Sequence, residues 1–142
     1  MTESLSHPAS PRPREAARPL EGRSPESRPD PRRVLGAAGE AAVATWYEQH
    51  GYRILARNWR CREGELDLIV AHGREFVFCE VKTRRTDTFG LPEEAVTRQK
   101  QMRIRRLAAR WLDDDAPTRP RAIRFDVATV RHGVVEVLEG AF

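Results

Sequence analysis

The sequence predicts an α/β fold in the order α-β-β-β-α-β-β, and three observations carry that reading. Apolar residues recur at helical spacing in two segments, they alternate or run together in five short ones, and Gly, Pro or Asp punctuates the joins. At 142 residues the chain has room for one hydrophobic core. Residues 1–33 hold seven of the ten prolines, mixed with Ser, Arg and Glu and hardly any large apolar side chain. Such a stretch cannot bury enough surface to offset its ordering entropy, so it reads as a disordered Pro/Arg/Ser-rich tail, leaving 34–142 as the single domain.

From Gly36 to His50, Ala42, Val43, Trp46 and Tyr47 fall at helical spacing and Gly51 supplies a stop, which makes helix one. Tyr52 to Arg60 is a strand carrying Ile54 and Trp59, ended by a turn at Arg62-Glu63-Gly64. Glu65 to Ala71 and Glu75 to Thr83 are the next two strands, with His72-Gly73 read as the tight turn between them. Pro92 is predicted to open helix two, with Glu93 and Glu94 in a first turn where the helix dipole favours acids, and the helix to run to about Leu112. After a loop from Asp113 to Pro120, Ile123 to Arg131 and Val134 to Leu138 form a last hairpin about His132-Gly133.

Composition narrows the function. No apolar run approaches the roughly 20 residues that cross a bilayer, and the N-terminus has no signal-peptide apolar segment, so the expected location is cytoplasmic and no membrane partner is expected. Cys61 and Cys79 lack CxxC spacing and the four histidines are scattered, which argues against a zinc knuckle or a disulfide framework. A net charge of +4 permits nucleic-acid binding without establishing it.

The basic residues carry a sharper signal. Of 25 Lys and Arg, only Lys82 and Lys100 are lysine, and a compact ammonium serves where a planar guanidinium does not: neutralising a developing charge or orienting a water. Lys82 lies in Glu80-Val81-Lys82, inside an apolar strand. With a two-residue turn at His72-Gly73, Asp67 faces Phe78 and Glu65 faces Glu80. Glu65, Asp67, Glu80 and Lys82 then project from one face, and Asp67 and Glu80 are diagonal neighbours about 7–8 Å apart at the backbone. A slip of one residue would undo this. An isolated Glu-x-Lys in a strand is ordinarily a solvated ion pair, but here the charges end a face that also carries Ile69, Phe76 and Phe78, where charge needs a reason.

Acids crowded on a half-buried sheet repel one another unless a cation compensates. Mg²⁺ or Mn²⁺ would do so through Asp67 and Glu80, with the Val81 carbonyl as a further ligand, while Glu65 either completes the metal shell or hydrogen-bonds a supporting group. Lys100 shares the inward stripe of helix two with Val96, Ile104, Leu107, Ala108 and Trp111. It either approaches the acids or lays its stem on apolar surface with its head in water. Glu40 flanks the apolar stripe of helix one and can lean over the sheet edge.

These residues in this order resemble the PD-(D/E)xK nuclease superfamily, and more closely the YraN family of small bacterial proteins, also called UPF0102, which look like Holliday-junction resolvases. The pieces are Gly39-Glu40-Ala41-Ala42, Gly64 to Ile69, Phe78 to Arg84, Lys100, and Arg124 to Val127, with Leu66 standing where the superfamily's motif has proline. The resemblance implies a restriction-endonuclease-like three-layer core, a mixed sheet flanked by helices. It implies metal-binding and catalytic places for Asp67, Glu80 and Lys82, and Glu40 matches the first-helix glutamate of archaeal resolvases. Asp126 lies in the last motif, yet alternation with Ile123, Phe125 and Val127 gives it a structural role, tying its strand to a neighbouring loop.

The expected activity is divalent-metal-dependent hydrolysis of phosphodiesters in nucleic acid, DNA before RNA, branched or damaged DNA included. Arg84, Arg85 and the helix-two arginines, Arg98 and Arg103 among them, would hold phosphates. A catalytically inactive nucleic-acid-binding module on the same scaffold is the alternative. Junction-cutting enzymes usually act as symmetric dimers, so a homodimer is a further partner to test.

Overall fold

The structure is a computed structural model, and it describes residues 30–84 and 96–142. The elements are helix α1 (Pro31–Gln49), strands β1 (Arg53–Cys61), β2 (Gly64–His72) and β3 (Glu75–Arg84), helix α2 (Arg98–Asp114), and strands β4 (Ala122–Arg131) and β5 (Val134–Leu138). The five strands form one sheet in the order β1-β2-β3-β4-β5. β3 and β4 are parallel, joined through α2, and the other neighbours are antiparallel. The predicted α/β class, mixed sheet and element order are therefore all present.

Each helix covers its own face, because side chains alternate across the strands. On one face Ile69, Phe76, Phe78, Phe125 and Val127 pack with Ile104, Leu107, Ala108 and Trp111 of α2. There Phe78 meets Trp111 edge-on, ring centroids 5.8 Å apart, and stacks on Phe125 at 5.6 Å. On the other face Leu68, Val70, Val77, Ala128 and Val130 pack with Val43, Ala44 and Tyr47 of α1. The result is three layers, helix on sheet on helix.

Three details differ from the sequence reading. Helix α1 begins at Pro31, five residues earlier than Gly36 and inside the stretch read as tail; proline suits a first helical turn, where its missing N–H would have no partner. The remainder of that tail, residues 1–29, lies outside the described residues. Helix α2 starts at Arg98, where Thr97, extended at ψ 163°, caps it by accepting a hydrogen bond from the Lys100 backbone N–H at 3.1 Å. Pro92, Glu93 and Glu94, the predicted opening of this helix, lie outside the described residues.

The third difference is the hairpin. His72 pairs with Glu75 and Ile69 with Phe78, so the turn is Gly73-Arg74, not His72-Gly73. Gly73 has φ 61° and Arg74 stays negative, the pattern of a turn with glycine in its first central place. At the other His-Gly dipeptide both His132 and Gly133 have positive φ, and there the dipeptide is itself the turn. The β2–β3 register is thus displaced by two residues. Because the side-chain period is also two, every residue keeps its predicted face.

Asp126 is fully buried and does tie its strand to a loop. It accepts hydrogen bonds from the Tyr47 hydroxyl (2.6 Å), from Arg124 Nε (2.9 Å) and a terminal nitrogen of Arg124 (3.0 Å), and from the Gly140 backbone N–H beyond β5 (3.0 Å). Four donors satisfy a carboxylate that would otherwise be costly at this depth. Helix α1, β4 and the C-terminal segment are thereby joined at one point.

Candidate metal and catalytic site

The sheet opens between β2 and β3 where the acids are. The β2–β3 ladder ends at Leu68–Cys79, so Asp67 and Glu80 are the next residues on either side of the opening. Below it β2 stays paired with β1 down to Gly64, and β3 stays paired with β4 up to Arg84. Asp67 spans the gap: its Oδ2 accepts the Val81 N–H at 2.9 Å, taking the place of a strand carbonyl. Within a strand the N–H and C=O of one residue point to the same edge, so the Val81 carbonyl also faces the opening. Asp67 and Glu80 meet directly across it, not diagonally, with Lys100, Glu65 and Arg103 lining the same hollow.

Both lysines converge on Glu80. Lys100 Nζ lies 2.6 Å from Glu80 Oε2 and Lys82 Nζ 3.7 Å from the same oxygen, with the Glu80 side chain only 10% exposed. Of the two fates open to Lys100, the structure has the one that reaches the acids. Burial first, then the neighbouring Lys100 amine, pull the Lys82 pKa down. Burial works against the Lys100 ammonium, but Glu80 outweighs it and the Lys100 pKa is raised.

Asp67 is pushed up to about 7, chiefly by burial and next by the Glu80 charge, with the Val81 N–H opposing the shift. Its unfolded value is near 3.9. Between those two values the folded chain holds a proton that the unfolded chain has released, so stability is greatest at acid pH and is lost as pH rises through 7. Asp67→Asn, which keeps an acceptor for the Val81 N–H, should therefore be more stable than the parent by about 1–3 kcal/mol at pH 8. Denaturant midpoints at pH 8 and pH 4.5 check this: the gain should all but vanish at the lower pH.

Glu40 reaches the site from α1. It is half-buried, lines a hollow with Val81 and Thr83, and burial raises its pKa, with smaller contributions from the Glu65 and Glu80 charges and an opposing hydrogen bond from Asn58. Gly39 explains the close approach: a Cβ there would strike the Thr83 hydroxyl of β3, so only glycine lets the helix lie on that strand.

The other expected residues are placed less centrally. Glu65 is 40% exposed and its carboxylate is engaged by Arg60 Nε at 3.0 Å. Arg84 lies in a different, apolar hollow against Leu35 and Ala38, Arg98 is exposed at the start of α2, and Arg85 falls outside the described residues. Asn58 was missed. It lies in β1 between the Arg57–Leu68 and Trp59–Leu66 pairs, opposite Asp67, with φ 51°. Asparagine's tolerance of the left-handed conformation was its one signal in the sequence.

Among the described residues no three His, Cys, Asp or Glu side chains converge as a ready-made metal cage. The donor set that fits a hard cation is Asp67, Glu80 and the Val81 carbonyl, all oxygen. Crowded acids with raised pKa values at Asp67 and Glu40 fit that reading, since a cation would relieve their repulsion. No helix among the described residues is long and apolar enough to cross a membrane.

Comparison with known proteins identifies relatives over the same span. A family model described as uncharacterised protein family UPF0102 matches residues 39–130, from Gly39 through the acid pair to the end of β4. The chain is 50% identical over 114 residues to a UPF0102 protein of Frankia alni, covering 77% of this chain and 94% of that one. It is 48% identical over 117 residues to a UPF0102 protein of Moorella thermoacetica, covering 78% and 97%. With a UPF0102 protein of Mycolicibacterium vanbaalenii it shares 53% identity over 102 residues, 72% of this chain and 84% of that one. The chain belongs to the UPF0102 family.

Proposed function

We propose that this protein is a divalent-metal-dependent nuclease that hydrolyses phosphodiester bonds in nucleic acid, DNA foremost. The observation that carries the reading is the opening between β2 and β3, where Asp67, Glu80 and the Val81 backbone edge face one another beside the chain's only two lysines. Asp67 and Glu80 would hold Mg²⁺ or Mn²⁺ with the Val81 carbonyl, and Glu65, which lines the same hollow, would join on leaving its contact with Arg60. The ion when bound supplies a more acidic water and a counter-charge for the phosphodiester.

The remaining work belongs to the chain's own groups. Lys82, with its lowered pKa, is suited to orient the attacking water and take its proton. Lys100 neutralises Glu80 and lies ready to meet negative charge growing on the phosphate. Glu40 borders the opening from the other helix and holds water or substrate there. Arg84, Arg85, Arg98 and Arg103 are the candidate phosphate contacts.

Incubation with single-stranded, duplex and four-way DNA, with Mg²⁺ or Mn²⁺ added, tests the proposal beside Glu80→Ala. Cleavage should require the metal and should disappear in the variant. Equal cleavage by the variant would expose a contaminating nuclease. Binding without cleavage by the parent chain would favour an inactive binding module.

A further inference from the structure

We propose that the flank of α2 bearing Arg103 and Arg106 seats the sugar-phosphate backbone of the strand entering the acid pair, and that it recognises phosphate without reading the bases; this rests on nucleic acid being the substrate. Three adjoining hollows run along that flank. The first holds Asp67, Glu80 and Lys100, the second Thr97 and Gln99, the third Glu63 and Leu107; Arg103 lines all three and Arg106 the last two. Lys100, Arg103 and Arg106 are three apart, so each lies about 4.5 Å further along the helix axis and about 60° further round it. The cations thus wind outward from the buried acid pair to the surface.

Charge balance along the row singles out its middle. Among the described residues the hollow of Thr97 and Gln99 is lined by three cations and no acid. Lys100 has its counter-charge in Glu80, and Arg110, further along, has Glu63 at 2.6 Å and Asp114 at 3.4 Å. Arg105, on another side of the helix, lies over the Phe125 and Phe142 rings at 4.7 and 5.5 Å from their centroids. Arg103 and Arg106, both exposed, make no ion pair or hydrogen bond among the described residues. Two such guanidinium forks beside a shared hollow match phosphate oxygens in charge and geometry. Among the described residues no aromatic side chain lines any of the three hollows, so none of them offers a platform for stacking a base. Contacts of this kind position a strand without specifying its sequence.

Anisotropy titrations of labelled DNA and RNA duplexes and single strands, without added metal and across a salt series, test the proposal. Arg103→Gln/Arg106→Gln is compared with Arg53→Gln/Arg121→Gln, which removes the same charge from the Gly73-Arg74 end of the sheet. The α2 pair should weaken binding about 10-fold at moderate salt and lower the log–log salt slope by about 2, equally for unrelated sequences, while the control stays close to the parent. Unchanged thermal midpoints confirm intact folding. A slope and affinity equal to the control's would overturn the track while leaving metal-dependent cleavage standing. A parent chain that binds through this row but never cleaves would overturn the nuclease reading alone, and a parent that binds no nucleic acid would overturn both.

Discussion

Lys82→Met is expected to lower the rate of metal-dependent DNA hydrolysis by about 10²–10⁴-fold while leaving the fold and the affinity for Mn²⁺ close to those of the parent. The separation follows from the two lysines' different distances to Glu80. Lys100, at 2.6 Å, neutralises the buried carboxylate by itself, whereas Lys82, at 3.7 Å, is the looser neighbour. Removing Lys82 therefore leaves Glu80 paired, and its unbranched methionine substitute occupies similar space beside Val81. What is lost is the amine whose pKa burial and Lys100 have lowered, which makes it a readier proton acceptor than an ordinary lysine. Single-turnover rates with calorimetry on the same variant check it. An unchanged rate would remove Lys82 from the chemistry, and a parallel collapse of metal affinity would make it a structural support.

Asp126→Ala is expected to destabilise the protein by about 2–4 kcal/mol, measured by denaturant unfolding, because it takes from Arg124 its nearest carboxylate, leaving Glu75 at 3.4 Å and Glu139 at 4.0 Å, and deprives the buried Tyr47 hydroxyl and the Gly140 N–H of their acceptor. Tyr47→Phe removes one of the four hydrogen bonds and should cost only about 1–2 kcal/mol. Combining Asp126→Ala with Arg124→Met should cost less than the sum of the two single changes, since both remove the same pair of hydrogen bonds. The contrast with Asp67 is instructive. Both are carboxylates in sheet positions, yet neutralising one costs stability and neutralising the other gains it. Asp126 is surrounded by donors. Asp67 is buried with a single backbone donor, Val81 N–H, beside the charges of Glu80, Glu40 and Glu65, which is the arrangement expected of a side chain placed for binding.

The strands and their faces were legible in the sequence because period-two alternation is local. Ile69, Phe76 and Phe78 declared a core face, and the charges at its end stood out against it. The register was less legible. The same dipeptide, His-Gly, closes β4–β5 as the turn itself but enters β2–β3 one step early, and only backbone φ at Gly73 and Arg74 separates the cases. The face assignment of Asp67 and Glu80 survived because the displacement was even. The Val81 N–H held by Asp67 could not be read from sequence, since it exists only where two strands part. Nor could Asn58 opposite Asp67, whose role depends on cross-strand register. The cap at Thr97 was hidden by Pro92, a stronger local start signal. Asp126's role was foreseen from alternation, although its partners Tyr47 and Gly140 lie on distant elements.

Metal-dependent hydrolysis here requires Asp67 and Glu80 to form one seat for a divalent cation at the open end of the β2–β3 ladder. Calorimetric titration of the intact chain with Mn²⁺ at pH 8, repeated with Asp67→Ala, tests this most directly. The parent should bind one ion with a saturable heat that weakens as the pH falls below about 7, following the Asp67 carboxylate, and the variant should show no such heat. A parent that gives no saturable heat, or a variant that binds as well as the parent, would contradict it.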